Sequence, residues 1–243
     1  MQILPVSTPK IRPYDDLSSI LVNALPRLEE KSIVVITSKI ISLCEGAIAD
    51  PHTITKDDLV KREAEAFIYC ERYAMYLTKK HGVLLPSAGI DESNAEGYYV
   101  LYPRDILKSV NTLGMWLKEH YGVHDLGVII SDSHTTPMRR GVLGLGLCWH
   151  GFHPLYSYVG KPDCFGRPLQ MTHINLLDAL ATSAVLCMGE GNEQTPLAII
   201  QNAPKVTFHN QMTSQEDYLA LCIGGEEDLY GPILHATTWE TLH

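Results

Sequence analysis

Apolar residues in this chain fall into short unbroken runs and longer periodic stretches, and the two patterns predict different elements. Ser32-Ile-Val-Val-Ile-Thr37 is β-branched and bounded by charge, the pattern of a buried strand. Leu126-Gly-Val-Ile-Ile130 and Leu197-Ala-Ile-Ile200 read the same way, while Val83-Leu-Leu85 and Tyr98-Tyr-Val-Leu101 predict strands on either side of a polar loop. From Gly141 to Trp149 glycines interrupt an apolar run, as in a strand approached closely by other backbone. Leu59, Phe67, Ala74 and Leu77 lie near helical spacing and predict one long helix from about Thr55 to Lys80, with Lys79 and Lys80 in its last turn and Gly82 beyond. A second helix is expected from Pro103 towards His120, stopping near Gly122, and a third from Asn175 to Met188, closed by Gly189. Thr213-Ser-Gln-Glu216 has the form of a capping box opening a short final helix. No repeat, low-complexity segment or linker interrupts the series. The expectation is mixed α and β elements in one intertwined unit over 1–243, with a core over 1–204 and a C-terminal segment over 205–243.

Composition narrows the class. With 243 residues, 45% of them hydrophobic and 19% charged, the chain can bury a substantial core, which excludes a disordered protein. A formal charge of -9 argues against non-specific nucleic-acid binding, which needs a surplus of Lys and Arg. No apolar run approaches the roughly 20 residues that span a bilayer, and Met1-Gln-Ile-Leu-Pro5 lacks the start of a signal peptide, so a soluble cytoplasmic protein is expected. The six cysteines form no Cys-x-x-Cys pair and read as reduced thiols.

Candidate chemistry concentrates in three oxygen-rich segments. They are Ser87-Ala-Gly-Ile-Asp91-Glu-Ser-Asn94, Ser131-Asp132-Ser133, and Met188-Gly189-Glu190-Gly-Asn192-Glu193. Carboxylate, hydroxyl and amide oxygens without a thiolate cluster suit a hard cation, Mg²⁺ or Mn²⁺, better than zinc. Lys39, Arg139, Arg140 and Arg167 supply fixed positive charge, and such a set could hold a triphosphate and spread the charge of a transferring phosphoryl group. Each residue alone has a plainer reading: Asp91 and Asp132 as turn formers, Arg139-Arg140 as a solvated pair, Glu190 as a helix C-terminal residue. Gly141-x-x-Gly144-x-Gly146 matches neither a dinucleotide fingerprint nor a P-loop, His150-Gly-Phe-His153 has no third ligand in view, and no Gly-x-Ser-x-Gly elbow occurs.

Taken together, the segments give the chain a family likeness. Leu4-Pro5-Val6, Thr37-Ser38-Lys39-Ile-Ile-Ser42 followed by Glu45-Gly46, Ala88-Gly-Ile-Asp91-x-Ser-Asn94, Ser131-Asp132-Ser133 with Arg139-Arg140-Gly141, Gly160-Lys-Pro-Asp163, Phe165-Gly-Arg167 and Met188-Gly-Glu190 run in one order to about Ile200. In these motifs the chain resembles the coenzyme F420-0:L-glutamate ligases, or gamma-glutamyl ligases. The resemblance implies an α+β fold of mixed, largely antiparallel sheets with flanking helices, a homodimer, and an enzyme that uses GTP (or ATP) and Mg²⁺ or Mn²⁺. Such an enzyme joins the amine of L-glutamate to an acceptor carboxylate through an acyl phosphate. By motif match, Asp91, Asp132, Ser133 and Glu190 would hold metal ions. Leu4, Pro5, Ser38, Lys39, Asn94 and Gly189 would meet the nucleotide, and Asp132 with Arg139 and Arg140 would serve the chemistry.

Two departures bear on the substrates. Leu43 stands where the family usually has a second nucleotide-binding lysine, and His134-Thr135-Thr136 replaces a Phe/Tyr-Gly-Arg type sequence. The acceptor is therefore either F420-0 or a pterin such as folate. The alternative to a ligase is a non-catalytic relative that binds nucleotide or metal as a sensor or assembly partner.

Overall fold

A computed structural model of the chain describes residues 1–25 and 27–242. In chain order the elements begin with β1 (Gln2–Val6), α1 (Leu17–Ala24), β2 (Ser32–Thr37), α2 (Ser38–Glu45), β3 (Ile48–Ala49) and α3 (Lys56–Glu63). Next come β4 (Ala66–Cys70), β5 (Met75–Lys80), β6 (Val83–Pro86), β7 (Tyr99–Val100), α4 (Ile106–Tyr121), β8 (Leu126–Thr135) and β9 (Val142–His150). The chain continues through β10 (Leu155–Ser157), β11 (His173–Asn175), α5 (Leu176–Met188), β12 (Leu197–Gln201), α6 (Gln215–Leu221) and α7 (Gly231–His235). The fold is α+β, with mostly antiparallel sheets flanked by helices.

The principal sheet has the order β1-β12-β2-β8-β9; β2 and β8 run parallel and the other pairs antiparallel. The middles of its central strands, residues 33–36 and 126–130, are apolar because both faces are covered there. Val34 and Ile36 of β2 join Val128 and Ile130 of β8 in one core, packed by Val110 and Leu117 of α4. Ile33, Val35 and Ile129 point to the other face, against Leu177, Leu180 and Ala184 of α5. This period-2 alternation lets one continuous run feed two cores. The expected glycine-spaced strand is β9. A Cβ on Gly144 would lie 2.5 Å from the Ala181 carbonyl oxygen, and one on Gly146 2.3 Å from Leu177 Cγ, so these glycines let α5 lie directly on β9.

The expected helix over Thr55–Lys80 is corrected by the structure. Only Lys56–Glu63 is α-helical, with the Thr55 side chain accepting from the Asp58 amide, and a single 3-10 turn follows at Glu71–Tyr73. Beyond Ala64 the chain forms the β4-β5-β6 sheet, in which Tyr69 faces Tyr76 and burial alternates along β5. Ala74 and the His81-Gly82 pair take positive φ values of 48°, 54° and 72°, closing two hairpins. Phe67 and Leu77 lie in adjacent strands, paired with Thr78 and Ile68 in turn, and the aromatic and β-branched content of the stretch decides for strands. Two smaller corrections concern the C-terminal segment. The capping box belongs to Ser214 and Asp217 rather than to Thr213 and Glu216, and α6 is followed by α7. No helix among the described residues is long and apolar enough to cross a membrane.

Candidate active site

The C-terminal ends of the parallel pair β2 and β8 open side by side, Thr37 opposite Ser131. The β8–β9 pairing shifts register between Ile130 and Ser131, the kind of bulge that re-aims side chains at a sheet end. Immediately beyond it come Asp132 and Ser133. The first turn of α2 brings Lys39 to the same place, the loop after β6 brings Asp91 and Asn94, and the C-terminus of α5 brings Gly189 and Glu190. With Thr8 to Arg12 and the 191–196 loop these residues enclose a cleft of about 670 Å³.

The polar groups in the cleft are organised in pairs. Lys39 Nζ lies 2.6 Å from Asp91 Oδ2 and donates at 3.1 Å to both the carbonyl and the hydroxyl of Ser93. Asp91 folds back on its own loop, accepting from the Ser93 amide at 2.7 Å and the Ser93 hydroxyl at 3.0 Å. Burial opposes the Asp91 charge, but Lys39 and Ser93 outweigh it and hold the carboxyl below its ordinary range. Ser133 Oγ donates to Glu190 Oε2 at 3.1 Å, and Asn94 Nδ2 donates to the Gly191 carbonyl at 3.2 Å, tying the loop after β6 to the loop after α5. Asp132 is the perturbed member. Burial pushes its carboxyl up to about 6 against the pull of the Tyr102 hydroxyl and the Ser133 amide; the Asp91 charge adds to the rise and Lys39 reduces it. Tyr102 Oη donates to Asp132 Oδ2 at 2.5 Å.

The structure thus gathers Lys39, Asp91, Asn94, Asp132, Ser133, Gly189 and Glu190 around one space. It places the other expected residues elsewhere. Ser38 is buried in the first turn of α2, Leu4 and Pro5 lie in the edge strand β1 opposite Ile199 and Ala198, and Arg139 and Arg140 are exposed in the β8–β9 turn. None of these five residues lines the cleft. Lys10 and Arg12, just past β1, do line it, with Arg12 3.5 Å from Glu96. Leu43 is 2% exposed and packs with Ala95 and Val100 where the cleft meets the core. Sequence reasoning missed Ser93, Tyr102, Lys10 and Arg12. The Asp91-x-Ser93 spacing was a usable signal, because Asp commonly accepts from the backbone two residues on. Nothing in sequence marks a hydroxyl 30 positions before Asp132 as its partner.

Among the described residues no three His, Cys, Asp or Glu side chains converge as a ready-made ion cage. The donors nonetheless fit a hard cation of the Mg²⁺ kind, which takes one or two carboxylates and completes its shell with water and phosphate oxygens. Asp132 is half-buried near a second carboxylate, Asp91, and has its charge only partly offset, which is the electrostatic situation a divalent ion relieves.

Comparisons with known proteins give the chain's family. The family model described as F420-0:Gamma-glutamyl ligase matches residues 5–202. The coenzyme F420:L-glutamate ligase of Methanopyrus kandleri is 33% identical over 210 residues, covering 79% of this chain and 82% of that protein. Its namesake from Methanothermobacter thermautotrophicus is 30% identical over 218 residues, covering 81% and 86%. A Methanococcus maripaludis namesake is 29% identical over 248 residues, covering 95% and 97%. The cleft residues from Lys39 to Glu190 all lie inside the matched span. The chain is a member of the F420-0:gamma-glutamyl ligase family.

Proposed function

We propose that this protein is a nucleotide- and divalent-metal-dependent ligase that forms an amide between the amine of L-glutamate and a carboxylate of an F420-type acceptor. The observation that carries the reading is the cleft itself, where Asp132, the Lys39–Asp91 pair and the Ser133–Glu190 pair meet at the ends of β2 and β8. The similar proteins are named coenzyme F420:L-glutamate ligases, which favours an F420 acceptor over a pterin.

In this reading an acceptor carboxylate oxygen attacks the γ-phosphorus, releasing nucleoside diphosphate and leaving an acyl phosphate. The glutamate nitrogen then attacks the acyl carbon, the C–O bond to phosphate breaks, and the amine proton passes to solvent or buffer. Lys39, Lys10 and Arg12 bring positive charge to the cleft that Leu43 does not supply, and they offset the charge of the bound phosphates. Asp91, Asp132, Ser133 and Glu190 would hold the divalent ion, which when bound neutralises phosphate oxygens. Glu190 and Asn94, joined to opposite walls, keep the cleft walls in register and so align acceptor and phosphate. The homodimer belongs to the same proposal.

The test is a phosphate-release assay with purified protein, Mg²⁺ or Mn²⁺, GTP or ATP, L-glutamate, and either F420-0 or a folate. Glutamate-dependent release with F420-0, and a product heavier by one glutamyl unit, is expected. Nucleotide binding without glutamate-dependent release for either acceptor would reject ligase chemistry.

A further inference from the structure

Asp91 and Asp132 reach the cleft from different elements, and one short run of chain touches both. Val100 N donates to the Asp91 carbonyl at 2.8 Å and Asp91 N to the Val100 carbonyl at 3.0 Å, so β7 holds the Asp91 backbone. Leu101 N is in turn anchored on the Ala47 carbonyl at 3.0 Å. One residue on, Tyr102 turns into the protein, 5% exposed, with its hydroxyl on Asp132. Its ring is boxed in. Gly89, at φ +73°, packs so closely that a Cβ there would fall 2.2 Å from Tyr102 Cζ. The His81 ring lies 5.8 Å away between centroids, and Lys80, itself 3.1 Å from Glu63, sits 5.7 Å from the ring centre.

We propose that Tyr102 is a positioning residue: its hydroxyl fixes the Asp132 carboxylate while Val100, two residues before it, fixes the Asp91 backbone, so one segment sets how both carboxylates are presented to a divalent cation. This rests on the reading of Asp91 and Asp132 as metal ligands. A 2.5 Å bond from a neutral hydroxyl to a carboxylate is short and charge-assisted. It engages Oδ2, and so fixes the direction in which the remaining carboxylate lone pairs face the ion. Hydrogen bonds of this outer kind orient ligand atoms, and losing one typically weakens metal binding about 10–100-fold. The close fit at Gly89 gives that glycine a function as well: it lets the loop carrying Asp91 press against the ring that holds Asp132.

The experiment is Mn²⁺ titration of the full chain, with free Mn²⁺ read by electron paramagnetic resonance, in wild type, Asp132→Asn, Tyr102→Phe and Gly89→Ala. Tyr102→Phe keeps the ring and removes only the hydroxyl. A weakening of about 10–100-fold in Tyr102→Phe, with thermal stability near wild type, is expected, together with no further loss when it is added to Asp132→Asn. Gly89→Ala, which keeps the hydroxyl but pushes the ring and the hydroxyl with it away from Asp132, should weaken Mn²⁺ in the same direction and provides the test if Tyr102→Phe folds poorly. Wild-type Mn²⁺ affinity in Tyr102→Phe, with Asp132→Asn impaired, overturns the role of Tyr102 alone. Absence of Mn²⁺ binding in wild type, or undiminished binding in Asp132→Asn, overturns the metal-ligand reading and this inference with it.

Discussion

Burial at the Asp132 carboxylate is offset only in part by the Tyr102 hydroxyl, the Ser133 amide and Lys39, and the nearby Asp91 charge works against it. A group so placed gains most from a cation. Replacing it by Ala should lower metal-dependent glutamate transfer about 10³-fold or more, ~4 kcal/mol of barrier, while far-UV circular dichroism stays unchanged. Undiminished turnover with the same Mg²⁺ or Mn²⁺ dependence would remove Asp132 from the site. A different titration governs stability. His150 is 1% exposed and hydrogen-bonded through Nδ1 to Asn111 Oδ1 at 2.8 Å. Burial, then the charges of Lys118 and His209, push its pKa down to about 4, below the 6.5 of an exposed imidazole. Between those values the unfolded chain binds the extra proton. Stability is therefore complete above about 6.5 and is lost as pH falls towards about 4, by on the order of 2–3 kcal/mol. Urea midpoints at pH 7.5 and 5.0 should fall less in His150→Gln than in wild type, and equal falls would show that another group carries the dependence. The sequence singles out Asp132 as a candidate ligand and sets His150 aside for want of a third ligand beside His153. Only the fold sends one to a cleft and the other to the core.

The elements that were legible in the sequence are those with a single consistent period. Ser32–Thr37 and the helix ending at Met188 stand where the pattern put them, because continuous burial and an Asn175 cap with a closing Gly189 leave few alternatives. The stretch after Glu63 reads as a helix in sequence because Leu59, Phe67 and Ala74, eight and seven residues apart, fall near a helical period. What settled it was pairing between neighbouring strands across the tight turns at Ala74 and His81-Gly82, to which the bridge between Phe67 and Glu240 adds one distant partner. The contact between α5 and β9 shows how an element can position chemistry from a distance. Gly144→Ala would drive a methyl group into the Ala181 carbonyl, a backbone atom with little freedom to retreat. A cost of about 1–3 kcal/mol is expected, seen as a fall of several degrees in Tm. The C-terminus of α5 carries Gly189 and Glu190 into the cleft, so glutamate transfer should fall with it. Unchanged Tm and activity would mean that α5 can slide on the sheet.

Across the whole molecule, the segment beyond β12 works as a strap between distant parts of the chain. Asn111 of α4 donates to the Thr213 carbonyl at 2.8 Å and accepts from its amide at 2.9 Å, while Thr213 Oγ1 donates to the Trp149 carbonyl at 2.6 Å. Further on, Tyr218 Oη reaches the His81 carbonyl at 3.0 Å, and Glu240 pairs with Phe67, so the strap joins the principal sheet to the sheet that leads into the Asp91 loop. Asn111→Ala strands the Thr213 amide and carbonyl in a buried place, at about 2–4 kcal/mol. Urea unfolding should report that loss, and limited proteolysis should cut the segment from 205 onward faster. Equal protease resistance would show that the strap is held by its apolar contacts. By itself the sequence determined the chemical inventory, the family and the buried strands, because residue type, spacing and local period are properties of the chain alone. The tertiary structure decided which inventory members meet. It brought Lys39 to Asp91, Ser133 to Glu190 and Tyr102 to Asp132, and left Arg139 and Arg140 on an exposed turn, because long-range pairing is set by how sheets and helices pack, and no local pattern encodes it.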